Sequence, residues 1–196
     1  MPTTTQDPYQ DCPVYETEQF ILRLVEEDDV EDLLECYSDP GSARLFNSEN
    51  CTSDFVFGSV DEMRDCIRFW VDEYRSRSFV RFSIVDRVTH KAVGTIEIFV
   101  KGEDLMGVGK VGVLRVDLAS RYETTGVFAE LMDLAGGRFY DDFAFEGMVA
   151  KAIPEAEERV NTLRNRGYTE LRQNDVVWFE SSFIQIRGAA DALVLR

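Results

Sequence analysis

Leu118-Ala-Ser-Arg-Tyr-Glu-Thr-Thr-Gly126 joins a β-rich run, Lys110 to Leu118, to a segment carrying Val127, Leu131, Ala135 and Phe139 on one helical face. A strand, a short loop and a helix start form an anion site, because free backbone N–H groups and the positive end of the helix dipole converge there. Phe145 to Ile153 is again β-rich, which completes a strand-helix-strand unit. The crossover in such a unit strongly favours a parallel, right-handed connection, so the strands ending at Leu118 and at about Ile153 are expected to be parallel neighbours, with the helix from about Gly126 packed on one face.

Upstream, Phe79 to Asp86 and Ala92 to Val100 are joined by Arg87-Val-Thr-His-Lys91, the pattern of an antiparallel hairpin with a short turn. His90 falls in that turn and reads as a solvated turn residue. Gln19 to Val25 is strand-like and is followed by Asp28, a candidate N-cap, and by Val30, Leu33, Leu34 and Tyr37 at helical spacing. Ser38-Asp-Pro-Gly41 breaks that helix. Ser59 with Glu62 has the pattern of a capping box, and the stripe Met63, Cys66, Ile67, Trp70, Val71 and Tyr74 behind it places Cys66 and Trp70 in the core. Downstream, a helix opens at Pro154 with Glu155, Glu157 and Glu158 in its first turn, Gly167 stops it, and strands return, ending in Asp175 to Ile186. Residues 1–18 are polar, hold three of the five prolines and show no periodicity, which reads as a loosely attached arm before a single domain, 19–196.

With 196 residues, 44% hydrophobic and 30% charged, the chain is long enough for a core without staples, burying roughly 70% of its unfolded surface, and it has none of the composition of disorder or coiled coil. No apolar run reaches the ~18 to 20 residues of a membrane span, and Met1 to Tyr9 lacks the regions of a signal peptide, so the expected setting is the cytoplasm, with no membrane partner. Cys12, Cys36, Cys51 and Cys66 lie far apart with a single His in the chain, the pattern of reduced structural thiols rather than of a metal site. The net charge of −16 works against phosphate backbones and excludes nucleic acid as the expected partner. Residues 1–62 hold 16 Asp and Glu against two Arg, a net of −14, whereas residues 63–196 hold 21 acids and 19 bases. Such an acidic segment is either a solubilising surface or a wall that attracts a cationic substrate.

Four phrases carry a family resemblance in order and spacing: FILRLVEEDDVEDLLECYSDP (20–40), VGTIEIF (93–99), VDLASRYETTGVFAELMDLA (116–135) and PEAEERVNTLRNRGYTEL (154–171). Together they resemble the GNAT superfamily of acyl-CoA N-acyltransferases, in the branch that contains the ribosomal-protein N-acetyltransferases. The resemblance implies an α/β fold: a mixed, mostly antiparallel central sheet with one parallel strand pair splayed at its C-terminal ends, flanked by helices. It also implies transfer of an acyl group, acetyl in the first instance, from acetyl-CoA to an amine of a small molecule, peptide or protein N-terminus, with no metal and with room for a homodimer. The acidic first third points to an acceptor with a further positive charge.

By family position the cofactor falls to Val116 and Leu118 at the splayed strand end, to Arg121, and to Thr124, Thr125, Gly126 and Val127 at the helix start. Glu97 and Asp117 are the carboxylates placed to act as base. They read otherwise as strand-surface acids or ion-pair partners, Asp117 with Arg115. Tyr122 and Tyr140 could donate a proton, and Phe55 and Phe57 could line an acceptor pocket. The chain departs from the family where cofactor is held: Glu123 stands for Arg or Gln, Thr124 for a glycine, Phe128 and Arg159 for small residues, Ala156 for Asn, and Leu163 for a Tyr that acts as general acid. These departures support a second possibility, a GNAT-fold ligand-binding or protein-interaction module that has lost catalysis.

Overall fold

The computed structural model describes residues 7–46, 56–100, 107–171 and 181–188. β1 (Tyr15–Glu16) lies antiparallel to β2 (Phe20–Leu24), which leads through a 3₁₀ turn into α1 (Val30–Tyr37) and the short α2 (Pro40–Ala43). α3 (Val60–Arg75) precedes the hairpin β3 (Phe79–Asp86) and β4 (Ala92–Val100). β5 (Val111–Leu118) runs through a 3₁₀ turn at Ser120–Tyr122 into α4 (Thr125–Leu134). A π-helical turn (Ala135–Phe139) continues α4 into α5 (Tyr140–Asp142), and β6 (Gly147–Lys151), α6 (Glu157–Asn165), β7 (Thr169–Glu170) and β8 (Ser182–Ile186) follow. The eight strands form one sheet in the order β1-β2-β3-β4-β5-β6-β8-β7, with β5 and β6 as its parallel pair. This is the mixed, mostly antiparallel α/β sheet expected.

Local chemistry accounts for most boundaries. The β3–β4 turn is fixed by Asp86, whose Oδ1 accepts from the amides of Val88 and Thr89, each at 2.8 Å. α3 starts where Ser59 Oγ accepts from the Glu62 amide, but the Glu62 carboxylate accepts from Gly58 rather than from Ser59, so only half of the expected capping box forms. Asp28 is exposed and does not cap α1. Asp29 is the residue that turns inward, accepting from the Glu26 amide, from Ser83 and from both terminal nitrogens of Arg23. α6 begins at Glu157 and not at Pro154, because the Ala156 amide closes a turn on the Ile153 carbonyl first. Gly167, at φ +78°, ends it as expected, with the Tyr168 amide returning to the Leu163 carbonyl. The stretch read as a loose arm contributes more than that: Tyr15 is fully buried in the main core, and Tyr9 stacks on Tyr74.

Among the described residues, the two larger of three hydrophobic clusters lie on opposite faces of the sheet. On one, α4, the π-turn and α6 bury Val127, Phe128, Leu131, Phe139 and Leu163 against Phe82, Ile96, Leu114 and Val116. On the other, α1 and α3 bury Leu33, Tyr37, Met63, Ile67 and Trp70. Among the described residues no helix is long and apolar enough to cross a membrane.

Candidate functional site

The β5–β6 ladder runs from Val111–Gly147 to Leu114–Ala150 and ends there, while β5 continues to Leu118. Past this last pair the two strands no longer share a register, and α4 begins beside the open end. Thr124 is its N-cap: its hydroxyl accepts from the Val127 amide at 3.3 Å, so one of the amides expected at an anion site is already satisfied within the chain. Thr125 and Gly126 are exposed, and a Cβ at Gly126 would meet nothing within 4 Å. Arg121 is exposed and lies over the Tyr122 ring, 5.1 Å from its centroid.

The space behind this helix start is filled by side chains. Arg159 of α6 is only 2% exposed. Its Nη1 donates to the Val116 carbonyl at 2.9 Å, its Nε donates to Glu123 Oε2 at 3.0 Å, and its Nη2 donates to Glu123 Oε1. The guanidinium carbon sits 5.0 Å from the centroid of Phe128, a ring that is itself buried. A bidentate, charge-assisted pair stacked on an aromatic face uses the geometry that distinguishes Arg from Lys. Outside this pair lies a cavity of about 360 Å³ lined by Arg44, Ser120, Glu155 and Glu158 among others. Ala156 and Leu163 are buried and offer no polar group.

Glu97 and Asp117 lie on the other face of the sheet, beneath α1 and α3. Pairing sets Arg81, Glu97 and Arg115 side by side across β3, β4 and β5, with Ser83, Thr95 and Asp117 in the next same-face row. Arg81 is the hub. It donates to Glu97 Oε2 from Nε at 3.0 Å and from Nη2 at 2.5 Å, and from Nη1 to Asp117 Oδ2 at 3.2 Å, to Thr95 at 3.0 Å and to Tyr37 at 3.0 Å. Its guanidinium lies 4.1 Å above the Trp70 ring. Tyr37 donates to Asp117 Oδ2 at 2.7 Å, and burial pushes its hydroxyl well above the usual phenol range, so it is a fixed donor. The cation facing Asp117 is therefore Arg81, while Arg115 faces Glu97 at 3.2 Å; an Asp117–Arg115 pair is displaced by the register, which sets Asp117 opposite Thr95. Both carboxylates are closed to solvent, and Asp117 Oδ1 has no hydrogen-bond partner among the described residues.

The remaining candidates disperse. The Tyr140 hydroxyl donates to the Gln185 carbonyl and that of Tyr122 to Asp86, with burial the main influence raising both above the usual range. Phe57 packs on Tyr37, and Phe55 lies outside the described residues. His90 is exposed in the hairpin turn at φ +59°. Sequence reasoning missed Arg81, although an arginine in the middle of the apolar run Phe79 to Val85 is itself a signal: a buried charge needs a partner.

An acyl-CoA arm laid along the end of β5 would need the Val116 main chain open and an uncharged or cationic lining near its pyrophosphate. Here the Val116 carbonyl is taken, the Val127 amide is capped, and Glu123 brings a carboxylate. In this arrangement the residues do not fit the cofactor.

No protein-family model and no curated protein matches the chain by sequence. Solved structures do match it by shape. A ribosomal-protein alanine acetyltransferase from Vibrio fischeri superposes with a TM-score of 0.68 at 15% identity, over 90% of this chain and 98% of that one. A GNAT-family acetyltransferase from Bacillus anthracis gives 0.67 at 13% identity, over 89% and 98%. RimJ of Mycobacterium smegmatis, in complex with CoA-disulfide, gives 0.66 at 14% identity, over 86% and 82%. The chain has the fold of the GNAT acetyltransferases, and the ribosomal-protein acetyltransferases are among the proteins that share it.

Proposed function

We propose that the chain is an N-acyltransferase of the GNAT type, moving an acyl group, acetyl in the first instance, from acyl-CoA to an amine, and that it stands here with its cofactor cleft closed. What supports this is the backbone: the β5–β6 ladder stops at Leu114–Ala150 while β5 runs on to Leu118, and the N-terminus of α4 lies at the opening. The departures at the cleft are all side chains. Of the two carboxylates, Asp117, one of whose buried oxygens is unpartnered among the described residues, is proposed as the base, reached by the amine only when the face beneath α1 opens, and Glu97 as the group that holds Arg81 in place beside it. The setting is proposed to be the cytoplasm, in keeping with thiols at Cys12 and Cys36 that form no disulfide among the described residues.

A GNAT-fold binding module without acyl transfer is the second reading, favoured by Arg159 seated on the Val116 carbonyl. The two separate in one experiment. The protein is incubated with acetyl-CoA and a series of amines while thiol release is followed, and acetyl-CoA is titrated calorimetrically in parallel. Amine-dependent thiol release carries the first reading; none with any amine carries the second.

A further inference from the structure

We propose that Arg159 and Glu123 form an internal plug that occupies the place of the acyl-CoA arm on β5, so that this ion pair and the cofactor exclude one another. This rests on the acyltransferase reading of the cleft. The pair is complete in itself. The guanidinium gives two donors to one carboxylate, a third to the Val116 carbonyl, and its face to Phe128, so each of its three nitrogens is engaged within the chain. The side chains are 3% and 11% exposed, so nothing of ligand size passes between them while the pair stands.

Withdrawing Arg159 changes three things at once. The Val116 carbonyl loses its donor and can accept from a ligand amide instead. Glu123 loses its cation and, as a bare carboxylate beside a pyrophosphate, is repelled toward solvent. The Phe128 ring loses its cover. The displaced guanidinium has somewhere to go, because the cavity outside the pair is lined by Glu155, Glu157 and Glu158, whose carboxylates can receive it. The cleft thus has a closed arrangement, in which Arg159 is paired inward with Glu123, and an open one, in which it is paired outward. Acetyl-CoA sees only the open fraction, and its apparent Kd is raised by the reciprocal of that fraction.

The test is calorimetric titration with acetyl-CoA of the unaltered chain, Glu123→Gln, Arg159→Ala and the double variant. The double variant is expected to bind about tenfold or more tighter than the unaltered chain, with Glu123→Gln in between. A double variant that melts cooperatively and gains nothing overturns the proposal, as does an unaltered chain that binds equally tightly. Should Arg159→Ala fail to fold, Glu123→Gln decides alone, since it keeps a hydrogen-bonding side chain of the same size: tighter binding supports the plug and unchanged binding removes it. Binding gained without acyl transfer to any amine leaves the plug standing and removes the acyltransferase reading. Acyl transfer by the unaltered chain at the variant's rate does the reverse.

Discussion

Arg159 on α6 donates to the Val116 carbonyl on β5 across 2.9 Å, two residues past the last β5–β6 pair, and so ties α6 to the strand where its parallel neighbour has left it. The same guanidinium holds Glu123, at the other side of the opening. Arg159→Ala leaves a carboxylate that is 11% exposed without its cation and a buried carbonyl without its donor. Breaking one side of a buried pair costs about 3–5 kcal/mol. In urea unfolding the single variant is expected to lose that much, and the double variant with Glu123→Gln less. Equal losses would show that the two side chains are not coupled.

Arg81 makes a second, larger network by the same logic. Replacing it with Met keeps much of the volume beside Trp70 but leaves Asp117 buried without its cation and Glu97 with Arg115 alone, and a loss of about 3–5 kcal/mol is expected. Tyr37→Phe removes the hydroxyl that donates to Asp117 Oδ2 and accepts from Arg81, which should cost about 1–3 kcal/mol. The two are in contact, so their effects in urea unfolding should not add. Strict additivity would count against a shared network.

Much of this architecture could be read from local pattern. The hairpin Phe79–Asp86 and Ala92–Val100 follows from two β-rich runs and a short turn, and the core stripe of α3 from its 3.6-residue period. The site was legible only in pieces. Glu123 and Arg159 each stood out as departures from what a cofactor needs, yet they lie 36 positions apart, and only the packing of α6 against α4 shows that each departure is the other's partner. Glu97 and Asp117 were picked out as isolated carboxylates for the same reason: strand register, which sets Arg81 and Arg115 on either side of Glu97, depends on pairing that no single segment specifies.

The β3–β4 turn gives a pH-dependent contribution with a definite sign. The amide of Thr89, then that of Val88, together with the Tyr122 hydroxyl, hold the Asp86 carboxyl below its usual range. A carboxyl whose folded pKa is depressed adds stability that is fully present above its unfolded value, near 3.8, and is lost as pH falls through the folded value below it. Asp86→Asn should therefore lower the melting temperature at neutral pH and flatten its fall below about pH 4. Parallel melting curves for the two proteins down to pH 2.5 would exclude this role.

Three acids of the first third, Asp32, Glu35 and Asp39, lie beside the turn that follows β5. Asp39 accepts from the Ser120 hydroxyl in the turn after β5, and Asp32, Glu35 and Asp39 line a cavity of about 240 Å³ with Ser120 and Arg121. Residues 1–62 carry −14 of the total −16, and Glu155, Glu157 and Glu158 add acid at the neighbouring mouth. Lys91 offsets part of this by pairing with Asp32 and Glu35, and Arg44 offsets part at the mouth, but acid predominates. A cationic acceptor approaching this end is drawn in by a field that reaches ~30 Å at 0.01 M salt and only ~8 Å at 0.15 M. We propose, then, that the acceptor is an amine with at least one further positive charge. Its kcat/KM should fall as salt rises across that range, while an amine that also bears a carboxylate should be a poor substrate that improves with salt. Equal turnover of both, unaffected by salt, would leave the acid as a solubilising surface and nothing more.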